Sequence, residues 1–545
     1  MRFRSSLIAA AFLFALAPVA RAQTPSPAAR IAAAADGRVL QAHLTYLSDD
    51  LLEGRAPATR GGILAAKYIA AQFARLGLEP AGDSGTWFHH IPVVTHTPDP
   101  VLRETTPKTW PLAYKTDYIA WSMRNDTLVH SASNVVFVGY GITAPEWNWD
   151  DYAGLDVRGK IVVTLVNDPG LRDSSIFKGK VLTYYGRWTY KIEEAARHGA
   201  AGILMVHTPE SATYGWSTVV GSWTGQQVRL QELPTSLLLA GWLSEEGARH
   251  LFTDGGQDLD ALTASAWHRG FKAVPLGLTL DATVRSVIHH SETLNVIARW
   301  PGRGPHANDA IIIGGHYDHL GIGPAVNGDS IYNGAEDNAS GTAGVLTAAE
   351  AVVKSEVHLP RSLVFIAFGA EESGLLGSQA YVGRPTIALR HIAAVLNVDG
   401  LNVYGRTRDI SALGTDMSTL GRTFTAAAHA EGIEVITNED ALIKGFVFRS
   451  DHFPFLKAGI PALSLQSGTD YIGRPAGWGK EQQDKYNTER YHQPADEMLP
   501  WFTMDGAIQQ VRVILRTAVG VAEASGQPTW LPGSEFRAAG ERRVQ

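Results

Sequence analysis

The sequence predicts an α/β protein with a mixed, mostly parallel β-sheet flanked by helices. Apolar segments that end directly in polar residues recur along the chain: 311–313, 362–368, 392–396 and 461–465. Segments with helical periodicity alternate with them, as at 65–76 and 505–524. Ligands of open α/β sheets bind at the carboxyl ends of the strands. The polar residues that follow these strands should therefore meet at one sheet edge.

Composition narrows the possible functions. The chain has 545 residues, 45% of them hydrophobic, which is too long for one typical domain. Its net charge of -7 argues against a nucleic-acid partner, which requires a basic surface. It contains no cysteine, so any metal ion must be held by His, Asp or Glu. Such ligands favour a catalytic site over a closed structural zinc site.

The N-terminus has the pattern of a secretory signal peptide. Arg2 and Arg4 precede an apolar run at 7–17, and a small-x-small cleavage motif ends at Ala22. We therefore predict a signal peptide over 1–22 and a mature protein that is periplasmic or secreted. No other segment is long and apolar enough to span a bilayer, so no membrane association is expected after cleavage.

Changes in sequence texture predict a larger main domain that is divided by an inserted β-rich domain. Short strand-and-turn segments begin near residue 134 and continue to about 285, where the strand and helix alternation resumes. The predicted division is a signal peptide at 1–22, a first part of the main domain at 23–129, an inserted β-rich domain at 130–285, and a second part at 286–545.

The polar residues after the strands have the chemistry of metal ligands. They are His316 and Asp318 after the first strand, Glu371 and Glu372 after the second, and Asp399 after the third. Carboxylates that directly follow apolar strands are poorly explained as surface residues. Neither His319 nor His306 is predicted as a ligand.

Two further candidates have simpler alternatives. Asp337 precedes a predicted helix at 342–354, where a carboxylate often serves only as an N-cap. His492 lies in a predicted loop, where a lone histidine is more often structural. Without His492, however, one metal ion of a pair would lack a third protein ligand.

Considered together, these segments resemble one known family. The matching motifs occur in the family's order: Gly315-His316-Tyr-Asp318, Asp337-Asn338-Ala-Ser340-Gly341, Glu371-Glu372-Ser-Gly374, Asn397-Val-Asp399 and Tyr491-His492 with Asp496. They resemble the zinc-dependent exopeptidases that include secreted bacterial leucyl aminopeptidases, plasma glutamate carboxypeptidase and, more distantly, glutaminyl cyclase. The resemblance implies the zinc-exopeptidase, phosphorylase/hydrolase-like fold. Residues 130–285 resemble the protease-associated domain often inserted in this family.

The resemblance also implies a set of metal ligands. His316 and Asp399 would hold one Zn²⁺, Glu372 and His492 would hold a second, and Asp337 would bridge the two ions. Other divalent metals could take the place of zinc. Asp318 would accept a hydrogen bond from the far nitrogen of His316 and fix its tautomer. In the family, the residue at Asp337 joins the next one, here Asn338, through a cis peptide.

The same resemblance implies catalytic and substrate-binding roles. Glu371 would be the general base for the water shared by the metals, and Tyr491 would stabilise the oxyanion. Asp451 and His452 would shape the substrate pocket, although Asp451 could equally serve only to order its loop. Arg449 could meet a substrate carboxylate or be a solvated arginine.

Three functions follow from this interpretation. We expect an exported di-zinc aminopeptidase acting on peptides or proteins. The first alternative is a carboxypeptidase or dipeptidase on the same scaffold, which would need a cation to bind the substrate carboxylate. The second is a non-catalytic binding protein, which would have no need for a full set of ligands and a base. The oligomeric state is not predicted.

Overall fold

The computed structural model describes residues 25–108, 110–232, 235 and 237–544. The predicted signal peptide at 1–22 lies outside the described residues. Within the described residues, no helix combines the length and apolar character that a membrane span requires.

The described residues form twenty strands, which vary from two residues to 27 residues in length. They are β1 (Glu79–Pro80), β2 (Phe88–Thr106), β3 (Trp110–Pro111), β4 (Tyr118–Ser122), β5 (Leu128–Phe137), β6 (Thr143–Ala144), β7 (Trp149–Asp150), β8 (Ile161–Leu165), β9 (Gly202–Val206), β10 (Gln227–Leu230), β11 (Leu239–Leu243), β12 (Val274–Trp300), β13 (Ala310–His316), β14 (Gly321–Val326), β15 (Asp329–Tyr332), β16 (Ser362–Phe368), β17 (Ile392–Asn397), β18 (Asp409–Leu413), β19 (Glu434–Val435) and β20 (Ala462–Gln466).

Sixteen α-helices accompany these strands in the described part of the chain. They are α1 (Pro27–Ala33), α2 (Gly37–Leu47), α3 (Arg60–Arg75), α4 (Trp188–Arg197), α5 (Pro209–Ala212), α6 (Trp216–Trp223), α7 (Glu245–Asp254), α8 (Leu259–Ala266), α9 (Gly341–Ser355), α10 (Leu376–Gly383), α11 (Leu420–Ala430), α12 (Glu439–Ile443), α13 (His452–Lys457), α14 (Trp478–Glu489), α15 (Met504–Glu523) and α16 (Arg537–Val544).

Most of the strands belong to one mixed sheet. Twelve of them follow the order β19-β18-β20-β17-β13-β16-β12-β5-β8-β9-β11-β4. Strands β16, β13, β17 and β20 are parallel neighbours, whereas β12 pairs antiparallel with both β16 and β5. The structure therefore confirms the α/β fold with a mostly parallel central sheet.

The burial of the central strands explains why the sequence favours this arrangement. Every residue of β13 and β16 is buried, which suits the continuous apolar runs typical of parallel strands covered on both faces. Helices α9 and α15 supply apolar residues to the core on one face of these strands. Residues of α10 and α13 supply a second apolar cluster, which also contains Ile312 and Ile366.

The region of the predicted insertion has its own apolar clusters. Strands β5, β8, β9 and β11 run parallel to their neighbours there, and α4 and α7 pack with them. Strand β4, from the predicted first part of the main domain, pairs antiparallel with β11. Strand β12 runs unbroken through the predicted boundary at 285. The domain division itself stays a prediction.

Strand β16 offers a test of how much the central sheet depends on packing. Leu363 is completely buried between neighbouring strands, whereas Leu51 is 79% exposed. Truncating a buried leucine removes apolar contacts and leaves a cavity, at a cost of ~2–5 kcal/mol. We expect Leu363→Ala to lower the free energy of unfolding by this amount in urea titrations. The matched Leu51→Ala variant should unfold like the unmodified protein, and equal effects of the two changes would contradict this packing.

Candidate metal centre

Three adjacent parallel strands bring the predicted polar residues to one sheet edge. His316 is the last residue of β13, Glu371 and Glu372 follow β16, and Asp399 follows β17 by two residues. Asp337 joins them from the turn Ala335–Ser340 that leads into α9. His492 reaches the same place from the segment after α14. The site thus lies where open α/β sheets bind their ligands.

One carboxylate lies between two imidazoles. His316 Nε2 is 3.3 Å from Asp337 Oδ1 and 3.2 Å from Asp399 Oδ1. His492 Nε2 is 3.3 Å from Asp337 Oδ2 and 3.2 Å from Glu372 Oε2. The two oxygens of Asp337 therefore face two different groups of donors. All five residues predicted as metal ligands meet in this cluster.

The donor chemistry of the cluster fits metal ions. Within the described residues, His316, Asp337 and Asp399 form one group able to hold an ion. The Nε2 atom of His492 is buried and makes no hydrogen bond, although two carboxylate oxygens lie nearby. A nitrogen directed between carboxylate oxygens without hydrogen-bond geometry is expected of a metal ligand. Imidazole and carboxylate are donors that Zn²⁺ accepts.

The carboxylates of the cluster concentrate negative charge in a buried place, and this charge shifts the pKa of their neighbours. Burial favours the neutral imidazole of His492, but Glu372 and Asp337 outweigh it and raise its pKa to about 11. Burial raises the pKa of Glu371 well above its usual value, and the neighbouring Glu372 and Asp399 add to that rise. Several carboxylates this close together need cations to offset their repulsion.

Asp318 is buried beside this cluster, but it does not make the predicted contact. Its carboxylate lies 3.8 Å from His316 Nδ1, too far for a hydrogen bond, while its backbone oxygen lies 3.2 Å from that nitrogen. The carboxylate instead accepts the backbone N–H groups of Glu371 and Glu372 at 3.1 and 3.4 Å. Asp318 therefore fixes the turn that presents the two glutamates, and its carbonyl lies nearest to the His316 ring nitrogen.

Asp496 and Asn338 hold the turn that carries Asp337. The Asp496 carboxylate accepts the backbone N–H groups of Glu336 and Asp337 at 3.0 and 3.1 Å. The Asn338 amide donates to Val398 O at 2.9 Å, which links this turn to the segment after β17. The peptide between Asp337 and Asn338 is cis, as the family resemblance implied.

A glycine permits the close approach of two segments that carry ligands. A Cβ atom on Gly315 would lie 2.4 Å from the backbone oxygen of Val398. Any side chain there would push β13 away from the segment that leads to Asp399. The glycine in front of His316 is thus required by the geometry of the cluster.

His319 belongs to the cluster, which the sequence did not predict. It is completely buried, and its Nδ1 lies 2.7 Å from Glu372 Oε1. With Asp337 and Glu372 it forms another group of donors able to hold an ion. Its ring packs against Gly334, where a Cβ atom would lie 2.4 Å from His319 Cγ. Its position three residues after His316 was the sequence signal that could have identified it as part of the cluster.

Arg55 was also missed, because it lies far from the motifs in sequence. It is completely buried and donates to the backbone oxygens of Tyr317 at 2.7 Å, Asn333 at 2.6 Å and Gly334 at 3.0 Å, and also to Leu47. Burial lowers its pKa to about 10, against the attraction of the site carboxylates. Arg55 thus joins the segments on either side of the cluster and places a positive charge behind them.

A cavity of about 1820 Å³ opens onto the cluster. Tyr491 lines it, is 46% exposed, and stacks on the ring of His492 with centroids 3.9 Å apart. Arg449 also lines it. Asp451 and His452 are completely buried and are not among the lining residues, so the structure keeps these two predicted pocket residues behind the wall.

The α/β fold thus places a cluster of His, Asp and Glu side chains, whose chemistry fits metal ions, at the carboxyl ends of parallel strands. Residues 295–517, which include every residue of the cluster but not Arg55 behind it, match the family model described as Peptidase family M28. This segment therefore matches a peptidase family, and the resemblance seen in the sequence motifs is confirmed. The match does not extend to the predicted insertion, which stays a prediction.

Individual relatives agree with the family match. The chain is 33% identical to leupeptin-inactivating enzyme 1 of Streptomyces exfoliatus over 210 residues, 37% of this chain and 43% of that protein. It is 29% identical to leucine aminopeptidase 2 of Trichophyton rubrum over 274 residues, 47% of this chain and 50% of that protein. The chain thus spans half or less of the length of these curated relatives.

Solved structures are similar at lower identity. An aminopeptidase from Aneurinibacillus sp. strain AM-1 aligns over 93% of this chain and 98% of its own, at 21% identity and a TM-score of 0.48. A zinc aminopeptidase from Bacillus subtilis aligns over 90% of this chain and 97% of its own, at 18% identity and a TM-score of 0.44.

The role of Arg55 is testable. Arg55→Met keeps the apolar stem but removes a donor from four backbone oxygens, of which Gly334 O still accepts from the Ala339 N–H. Each buried group left unsatisfied costs ~1–3 kcal/mol. We expect a lower melting temperature and less bound metal per chain by elemental analysis. Arg60→Met is the matched control, because the Arg60 side chain is 73% exposed. If Arg55→Met melts and binds metal like the control, Arg55 does not support the cluster.

Proposed function

We propose that this protein is an exported zinc-dependent aminopeptidase with two metal ions. The observation that carries the proposal is the shared carboxylate of Asp337, which lies between His316 and His492 in a segment matched by a peptidase family. The names of the relatives, which include leucine aminopeptidase and zinc aminopeptidase, support zinc and removal of the N-terminal residue. The predicted signal peptide supports export.

The residues of the cluster divide into two sets in this proposal. His316 and Asp399 would hold one ion, Glu372 and His492 would hold the other, and Asp337 would contribute to both. Zinc held there would polarise the peptide carbonyl and lower the pKa of water toward neutrality. His319 hydrogen-bonds Glu372 and so limits the rotation of that carboxylate.

Glu371 is the proton carrier in this mechanism. It follows β16, and its backbone N–H is fixed by Asp318, so its position relative to Glu372 is set. It takes the proton of the attacking water and returns it to the amine that leaves. Because burial and neighbouring carboxylates raise the pKa of Glu371, the side chain can retain the proton between the two steps.

Tyr491 stabilises the negative charge that develops on the carbonyl oxygen. Its ring lies over His492 and faces the cavity, where a phenol O–H can donate to a substrate oxygen. Stacking on His492 fixes the orientation of the ring. The same contact positions the His492 imidazole.

The role of Glu371 predicts a clear separation between metal binding and turnover. Glu371→Gln should retain the zinc of the unmodified protein and lose about 10²–10⁴-fold in kcat on Leu-p-nitroanilide, the range for a lost acid-base group. Glu523→Gln is the control, because Glu523 is exposed at the end of α15. Turnover close to normal in Glu371→Gln would remove Glu371 from its proposed role.

The end of the substrate that is cleaved separates the proposal from its main alternative. Peptides with a free N-terminus should lose their first residue, and N-acetylated versions of the same peptides should stay intact, as read by mass spectrometry. Release of C-terminal residues from the N-acetylated peptides would show a carboxypeptidase instead. Cleavage of neither set by the zinc-loaded protein would support the non-catalytic alternative.

A further inference from the structure

Three arginines line the cavity, and two of them, Arg187 and Arg449, come from distant parts of the chain and lack a full set of partners; the third, Arg229, donates to Asn125 and to backbone oxygens. Arg187 lies directly before α4, in the region of the predicted insertion, and Arg449 lies before α13 in the segment matched by the peptidase family. Both are partly buried. A cation that is partly removed from water normally has a carboxylate or several carbonyl groups as partners.

Arg187 has no such partner within the described residues. Its guanidinium makes no ion pair or hydrogen bond there, and its Nε atom is buried without a hydrogen-bond acceptor. Arg55 shows the contrast, since that buried guanidinium donates to four backbone oxygens. A structural role like that of Arg55 therefore does not account for Arg187.

Arg449 is only partly satisfied. Its Nη2 donates to Lys444 O at 2.8 Å, and its guanidinium lies 5.2 Å from the centre of the Phe446 ring. Its Nε atom is buried without an acceptor, and no ion pair is formed with any described carboxylate. The Phe446 ring and the Lys444 carbonyl hold the arginine in place while part of its donor edge stays free.

The two positive charges are near each other and near the metal centre. Burial and, to a smaller extent, the charge of Arg449 lower the pKa of Arg187 to about 10. The Tyr214 phenol acts on both guanidinium groups, and Tyr491 acts on Arg449. The cavity wall therefore carries a pair of like charges beside the residue proposed to stabilise the oxyanion.

Outside the metal cluster, no described acidic side chain of the cavity wall forms an ion pair with either arginine. Glu193 lines the cavity but is bonded to Lys457 at 2.6 Å and to the Tyr184 hydroxyl at 2.5 Å. Glu336 also lines it, but is bonded to the Tyr404 hydroxyl at 2.9 Å and to Arg490 at 3.2 Å. A negative charge brought by a ligand would find both arginines available.

We propose that Arg187 and Arg449 form a carboxylate-binding subsite, so that the preferred substrates are short peptides carrying a free carboxylate beyond the cleaved bond. The proposal rests on the peptidase function proposed above and specifies its substrate class. A guanidinium pair suits a carboxylate because its planar donors match the two oxygens. The carboxylate can be the peptide's C-terminus or the side chain of an acidic residue.

Aromatic side chains next to the arginines suit an apolar part of the same ligand. Trp223 stacks on Trp121 with ring centres 4.3 Å apart, and Trp188 meets Trp223 edge-on at 5.1 Å. All three line the cavity. Apolar packing near the arginines also strengthens a charge pair by excluding water.

The test compares binding of matched peptides to Glu371→Gln loaded with zinc, so that no peptide is consumed. For a C-terminal carboxylate, calorimetry compares Leu-Leu with Leu-Leu-amide. For a side-chain carboxylate, it compares Leu-Asp-amide with Leu-Asn-amide. We expect the carboxylate member of at least one pair to bind tenfold or more tightly, and the pair that shows the preference identifies the source.

Variants of the two arginines then test whether the preference arises from them. Arg187→Met and Arg449→Met should each reduce the preference to threefold or less while the amide peptide keeps its affinity within about twofold. Arg187→Lys should restore part of it, because the charge returns without the planar donors. Arg158→Met is the control, since Arg158 is 78% exposed and pairs with Asp156; its preference should be unchanged.

Three results would overturn the subsite. The first is equal binding of the carboxylate and amide peptides in both pairs. The second is a loss of affinity by the same factor for the carboxylate and amide peptides when an arginine is replaced. The third is a carboxylate preference that is unchanged in both Arg187→Met and Arg449→Met. Turnover of Leu-p-nitroanilide by the unmodified, zinc-loaded protein distinguishes failure of the subsite from failure of the peptidase function. If Leu-p-nitroanilide is cleaved and no carboxylate preference exists, the subsite is wrong and the peptidase function stands.

Discussion

The sharing of one carboxylate by two imidazoles is the constraint on which the rest of the site depends. Asp337 can face both His316 and His492 only if the turn before α9 is held at the edge of the sheet. The parallel order of β16, β13 and β17 provides that edge, because the three adjacent strands end within two residues of one another in register. The position of the Asp337 carboxylate between the two imidazoles therefore depends on the strand order of the sheet.

Concentrating this much buried negative charge requires support from the surrounding structure. Backbone N–H groups reach Asp318 and Asp496, and these contacts fix the two turns that carry Glu371 and Asp337. Arg55 adds a permanent positive charge and joins the neighbouring backbone segments. Metal ions between the carboxylates would supply the remaining compensation, which links stability of the site to its proposed chemistry.

Much of this could be predicted from the sequence, because strands, caps and motifs are local signals. The apolar run ending at His316 and the helix at 65–76, found as Arg60–Arg75 with Gly77 at positive φ, follow from periodicity and turn chemistry. The five ligands were predicted because a family resemblance supplied their pairing, which spacing alone does not give. That they hold metal ions stays a proposal.

What the sequence could not give depends on contacts between distant segments. Arg55 precedes Tyr317 by 262 positions, and no local pattern marks an arginine that binds backbone oxygens. The Asp318 carboxylate was expected to meet the ring of His316, but the turn after β16 brings two backbone N–H groups closer to it. The proposed role of Arg187 likewise could not be predicted, because only the folded chain brings Arg187 and Arg449 to the same cavity.

Anomalous scattering from zinc-loaded crystals tests the central claim most directly. Two zinc peaks should flank the carboxylate of Asp337, one beside His316 and Asp399 and the other beside Glu372 and His492. Carboxylate-bridged ions of this kind lie about 3.5–4 Å apart. A single peak, or peaks that Asp337 does not bridge, would contradict the account.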